Sequence, residues 1–120
     1  MKKLLIALFV LGLANPSFAG LKEKNVIGSW SYTVDTGQEI LKGTLTFEKV
    51  DGKLTGMVNT SEGDAFSLSN IEIRDNNVLY FELQPDYEVM KISLTVEGKK
   101  YSGTLTVAGE SVPITGEKLS

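Results

Sequence analysis

Gly43-Thr44-Leu45-Thr46-Phe47-Glu48-Lys49-Val50-Asp51-Gly52-Lys53-Leu54-Thr55-Gly56 reads as a β-hairpin. Leu45 and Phe47 alternate with Thr44 and Thr46, the period of two that turns one strand face toward a core and the other toward water. Asp51-Gly52 supplies the left-handed backbone that a two-residue hairpin turn needs. The same pattern returns later in Lys91-Ile92-Ser93-Leu94-Thr95-Val96-Glu97-Gly98 and Tyr101-Ser102-Gly103. This echo reflects either a duplication or one hairpin solution used twice, and it is too short for a solenoid.

Working outward, short β-rich runs alternate with turn residues all the way from Gly20 to Ser120, and no stretch there has helical periodicity. Eight main strands are expected, over residues 26–35, 40–50, 53–60, 65–73, 78–84, 87–96, 100–107 and 111–118. Connections are short and polar: Asp51-Gly52, Asp75-Asn76-Asn77 and Glu97-Gly98-Lys99 all tolerate turn backbone. Hairpin after hairpin makes an up-and-down meander, and closing it removes both exposed edges. The fold expected is all-β, a single eight-stranded antiparallel barrel.

Parity assigns the faces. Trp30, Tyr32, Val34, Leu41, Leu45, Phe47, Leu54, Val58, Phe66 and Leu68 share the inner side of the first four strands. Parity slips at Ser69-Asn70, so a bulge is expected before Ile71 and Ile73 turn inward. Leu79, Phe81, Leu83, Met90, Ile92, Leu94, Val96, Tyr101, Leu105, Val107, Val112 and Ile114 complete the inner set. These twenty-four apolar residues exceed the roughly twelve that fill a tightly sheared eight-strand barrel. A large lipid cup is therefore not expected, and the room left is at most a narrow apolar slot near one mouth. Gly28, Gly43, Gly56, Gly103 and Gly116 also face inward. They either open a cavity or let the strands coil and close under a covering aromatic, and the second reading is preferred.

Gly28-Ser29-Trp30, with Tyr32 following, stands at the start of the first strand. A Gly-x-Trp there, in an eight-stranded meander, resembles the lipocalins and their calycin relatives. That resemblance implies a barrel whose tryptophan plugs the closed end, here Trp30 with Gly28 and Tyr101 around it. Calycins of this kind usually set an arginine of the last strand against the tryptophan. The one arginine here is Arg74, between strands four and five, which leaves Lys118 as the substitute. The chain is also shorter than a typical lipocalin.

The first nineteen residues read as a secretory signal. Lys2 and Lys3 precede an apolar run, Leu4 to Ala14, that ends at Asn15-Pro16. Ser17-Phe18-Ala19 puts small residues where a signal peptidase inspects, so the mature chain is expected to begin at Gly20 and to be periplasmic or secreted. The run is too short to span a bilayer, so no retained membrane anchor is expected. The mature domain, residues 20–120, carries ten basic residues against fifteen acids, a net charge of −5. That balance argues against nucleic acid, which needs a basic face.

With no histidine and no cysteine, the usual general base, thiol nucleophile and soft metal ligands are missing, and no two acids share an inward position in mid-barrel. No enzymatic activity, cofactor or metal is expected. Charge is unevenly placed. In a meander, alternate connections lie at one end, and one end gathers Asp35, Glu39, Glu62, Asp64, Asp86, Glu88 and Glu110 with the longer loops. The other end mixes both signs. The acidic mouth is the candidate ligand site, with Glu39, Asp64, Glu88 and Glu110 on its rim and Leu41 and Leu83 below. Ordinary solubilising charge is the alternative. Two functions remain open from the residues: a binding module for a small apolar or cationic ligand, or a protein-interaction module such as an exported inhibitor or accessory subunit. A dry slot behind the mouth favours the first; a filled interior with Tyr80 or Tyr87 exposed favours the second.

Overall fold

The computed structural model describes residues 20–120. The expected signal segment, residues 1–19, lies outside the described residues. A single helical turn, α1 (Glu23–Val26), precedes the strands β1 (Gly28–Asp35), β2 (Ile40–Val50), β3 (Lys53–Thr60), β4 (Ala65–Ser67), β5 (Ser69–Arg74), β6 (Val78–Leu83), β7 (Met90–Glu97), β8 (Lys100–Val107) and β9 (Glu110–Glu117). Every ladder is antiparallel, and the sheet order is β4-β3-β2-β1-β9-β8-β7-β6-β5. The meander therefore closes where β1 meets β9, through Val34 with Ile114 and Thr33 with Thr115.

Nine strands arise from eight because the fourth divides at Leu68. Its first half pairs with β3, and its second half leaves to pair with β6. Leu68 turns that corner by donating its N–H to the Gly56 carbonyl at 3.0 Å. Its side chain lies over Gly56, 2.7 Å from where a Cβ would stand. The bulge expected at Ser69-Asn70 follows at once: Asn70 has φ 51°, and the register against β6 shifts between Ser69 and Glu72. Below the corner, β3 and β5 part, leaving an open cleft lined by Leu21, Glu23, Lys53, Leu54, Ile71 and Ile73.

Two strands start later than their sequence suggests. Residues 26 and 27 belong to the exit of α1, and Gly28 (φ 130°) turns the chain into β1 beneath the terminal Ser120 carbonyl. The run expected over 87–96 enters its ladder only at Met90, because Gln84 to Val89 form a loop in which the Gln84 side-chain amide donates to the Tyr87 carbonyl. Turn chemistry otherwise behaves as read, with Asp51 and Gly52 at φ 52° and 80°.

The inward set is buried or half-buried throughout, except that Leu41 is 43% exposed at the rim. Val26 joins it, wholly buried from α1. The closed end is built around Trp30, 2% exposed. Its indole N–H donates to the Val26 carbonyl at 2.8 Å, its ring meets Tyr101 with centroids 5.9 Å apart, and Lys118 Nζ stands 5.6 Å over its face. Lys118 thus occupies the place that the resemblance gives to an arginine, within cation–π range.

Tyr101 donates its hydroxyl to the Ser31 carbonyl at 2.7 Å. Burial, and then the neighbouring Tyr32, push its phenol well above the ordinary value near 10. Burial pushes Tyr32 up as well. Both raised values favour the neutral phenol in the fold, so their contribution to stability is complete below pH 10 and is lost as pH rises through the folded values. Urea unfolding should give a nearly constant free energy from pH 7 to about 9.5 and a decline above that. Tyr101→Phe should flatten the alkaline decline; an unchanged decline would show that these phenols do not control it.

Candidate functional site

The barrel interior is unevenly filled. Toward α1, Trp30, Phe47, Leu79, Leu94, Val96 and Tyr101 leave no room for a water. Toward the other end lies an apolar cavity of about 170 Å³. Leu45, Phe81 and Ile92 form its floor, and Val58, Leu68, Leu105 and Ile114 its walls. Leu41, Phe66, Leu83, Pro85 and Met90 form its mouth. The floor follows from the sequence: Phe47 and Phe81 meet edge to face with centroids 5.7 Å apart and block the barrel at mid-height.

The inward glycines do not make this cavity. Gly28 lies under the C-terminal backbone, and Gly103 lies against the backbone of Ser93 and Leu94. Gly56 is filled by Leu68 and Phe47, Gly43 by Tyr32, and Gly116 by Tyr101. Each side chain or strand that covers one could not approach if a Cβ stood there, so these glycines permit close packing rather than open space.

Of the residues read as candidate mouth residues, Leu41 and Leu83 line the cavity. Glu39, Asp64, Glu88 and Glu110 do not. They sit exposed around the rim, Glu39, Asp64 and Glu88 in three connections and Glu110 as the first residue of β9, and no ion pair among the described residues includes them. Local backbone chemistry holds two of them. The Glu39 carbonyl accepts the Thr36 N–H at 3.1 Å, and the Asp64 N–H donates to Thr60 Oγ1 at 3.1 Å. Lys42 and Lys91 lie on the outer wall just below that rim, on the third residue of β2 and the second of β7. The acidic collar is thus less uniform than the loops alone suggest.

The other lining residues escaped the reading as site residues; of these, Tyr32 and Thr60 bring the only side-chain hydroxyls to the cavity among the described residues. The signal was in the register: Tyr32 pairs with Gly43, and Gly43 with Thr60. Both hydroxyls therefore stand at one level on the inner face. No charged side chain lines the space. Among exposed aromatics, Tyr87 is 96% exposed in the β6–β7 loop. Tyr80 instead is tied down on the outer wall, donating to Glu82 Oε2 at 2.6 Å beneath Arg74.

No charged acid–base pair lines the cavity among the described residues, and its size and lining suit a small apolar molecule. No group of three or more metal-ligating side chains occurs among the described residues, and no helix there is long and apolar enough to cross a membrane.

No family model matches the chain, and no curated protein matches it. Solved structures resemble it in fold. A redesigned β-barrel aligns with a TM-score of 0.61 at 12% identity, covering 81% of this chain and 94% of that one. A de novo designed fluorescence-activating β-barrel aligns at 0.57 and 15% identity, covering 80% and 95%. Fatty-acid-binding protein 1 of Echinococcus granulosus aligns at 0.54 and 14% identity, covering 81% of this chain and 99% of that one. At these identities the likeness is one of architecture: this chain is an up-and-down antiparallel β-barrel of the shape that those proteins share.

Proposed function

We propose that this protein is an exported, non-catalytic binding module of calycin type that holds one small apolar molecule in the mouth-half cavity. The observation that carries the reading is the contrast between the two halves of one barrel. The core around Trp30 leaves no room for a water, whereas about 170 Å³ stands lined by apolar side chains behind the mouth. Interiors of this size are normally filled to crystal density. An apolar space a little larger than the engineered 150 Å³ cavity that admits benzene is suited to a ligand of one ring or a short branched chain.

Native mass spectrometry of protein purified from its own host tests this directly. A retained adduct of small mass should be present, and should be lost in Leu105→Phe, which fills the cavity from its wall. A partner protein retained without any small adduct would favour the second reading, an interaction module. The nearly wholly exposed Tyr87 beside Val89 and Glu88 is the feature that supports that reading. Export has its own check: N-terminal sequencing of the exported protein should begin at Gly20, and an intact Met1 there would overturn it.

The acidic rim acts on ligands only at a distance, because its side chains stand outside the cavity. Neutralising Glu39, Asp64, Glu88 and Glu110 together should weaken binding of an apolar cation several-fold at low salt, and much less when screening shortens to about 8 Å. An uncharged ligand should bind almost unchanged. Changing Lys49, Lys53, Lys99 and Lys100 to Gln should leave both untouched. A loss of cation binding from the lysine set, with none from the acid set, would show the charge asymmetry to be a matter of solubility.

A further inference from the structure

We infer that the molecule held in this cavity is uncharged and carries one hydrogen-bond-accepting oxygen, received by the Tyr32 hydroxyl. The inference rests on the reading of the cavity as a binding site and names the chemical class it takes.

Tyr32 and Tyr101 use the same device with different outcomes. Each lies across a glycine on the strand beside it, Gly43 and Gly116, with its hydroxyl 2.6 Å and 2.5 Å from where the missing Cβ would stand. Tyr101 then donates to the Ser31 carbonyl. Tyr32, only 8% exposed, has no hydrogen-bond partner for its hydroxyl among the described residues. Buried polar groups are nearly always satisfied, and an exception marks a place where a ligand or water completes the set. The hydroxyl lies on the inner face over Gly43, level with Thr60, and both residues line the cavity. Thr60 Oγ1 already accepts the Asp64 N–H, which leaves its own proton to give.

Two donors at one level in an otherwise apolar space call for an acceptor. Charge excludes a carboxylate. No lysine or arginine lines the cavity, so a carboxylate would be desolvated without a counter-ion, and it would enter past an acidic rim. Burial also keeps the Tyr32 phenol protonated, and therefore a donor, across the physiological range. The class that remains is a neutral oxygenated apolar molecule of about one ring, such as a ketone, ester, lactone or ether.

Three probes of nearly one shape separate the possibilities: acetophenone with a carbonyl, cumene without oxygen, and benzoate with a charge. Calorimetric titration should show that Tyr32→Phe weakens acetophenone about five- to tenfold, the worth of one hydrogen bond. Cumene should stay within twofold in the same variant, which also reports an intact cavity. Wild-type protein, needing no variant, should bind acetophenone at least tenfold more tightly than benzoate at neutral pH. If cumene binds but Tyr32→Phe leaves acetophenone unchanged, or weakens both probes alike, the inference fails and the cavity reading stands. Benzoate binding as tightly as acetophenone would also overturn the inference alone. If neither acetophenone nor cumene binds the wild type, the cavity reading fails and the inference with it.

Discussion

Trp30→Ala should lower the unfolding free energy by about 3–5 kcal/mol, a large part of the roughly 5–15 kcal/mol that holds a domain of this size. Trp30 is 2% exposed and stands in a cluster that leaves no room for a water. Truncation therefore leaves a void that its neighbours, Tyr101, Phe47 and Leu94, have little freedom to collapse into. It also orphans the Val26 carbonyl, which the indole N–H satisfies at 2.8 Å, and removes the ring under Lys118. Trp30→Phe separates these effects: the ring volume is mostly kept, and the loss should fall to about 1–3 kcal/mol from the unsatisfied carbonyl. Urea denaturation of the three proteins, compared at equal slope, measures both. A loss below about 1 kcal/mol for the alanine variant would mean that Trp30 does not plug the closed end.

Phe81→Ala should cost about as much, roughly 3–5 kcal/mol, but with the opposite consequence for binding. Phe81 is 1% exposed and separates the packed half from the cavity, with its ring edge-on to Phe47. Removing it deepens the cavity instead of creating an isolated void. The variant should be less stable than wild type and yet take two-ring apolar ligands, such as naphthalene, at least tenfold more tightly. Binding of the larger ligand also recovers stability in proportion to its concentration. If Phe81→Ala loses stability but gains nothing for naphthalene, the cavity floor is elsewhere. If it loses neither, the division of the barrel at mid-height is wrong.

Most of the wall was legible because strand parity is a local property. Leu45-Thr46-Phe47 declares its faces without reference to anything distant, and the parity slip at Ser69-Asn70 marks the bulge that Asn70 makes with φ 51°. Features that depend on distant partners were not legible. The four residues of α1 are too few to show a period, and the turn is held by contacts with the barrel it plugs, Trp30 above all. The division of the fourth strand at Leu68 is decided by Gly56, twelve residues earlier. For the site, parity placed Leu41 and Leu83 at the mouth. It could not show that the four rim acids would stand outside the cavity lining while Tyr32, lying across Gly43, joins it. The register that aligns Tyr32, Gly43 and Thr60 runs over three strands, and only the assembled sheet reveals it.

Crystallography under xenon pressure probes the mouth-half cavity itself, since xenon enters dry apolar cavities of this size and needs no guess about the natural ligand. A single strong xenon site should lie inside the mouth half, in contact with Val58, Phe81, Ile92 and Leu105, with none between Trp30 and Phe47. Leu105→Phe should abolish it. Side chains of Leu41, Met90 or Leu105 filling that volume, with no xenon within it, would contradict the account and leave the barrel without a binding cavity.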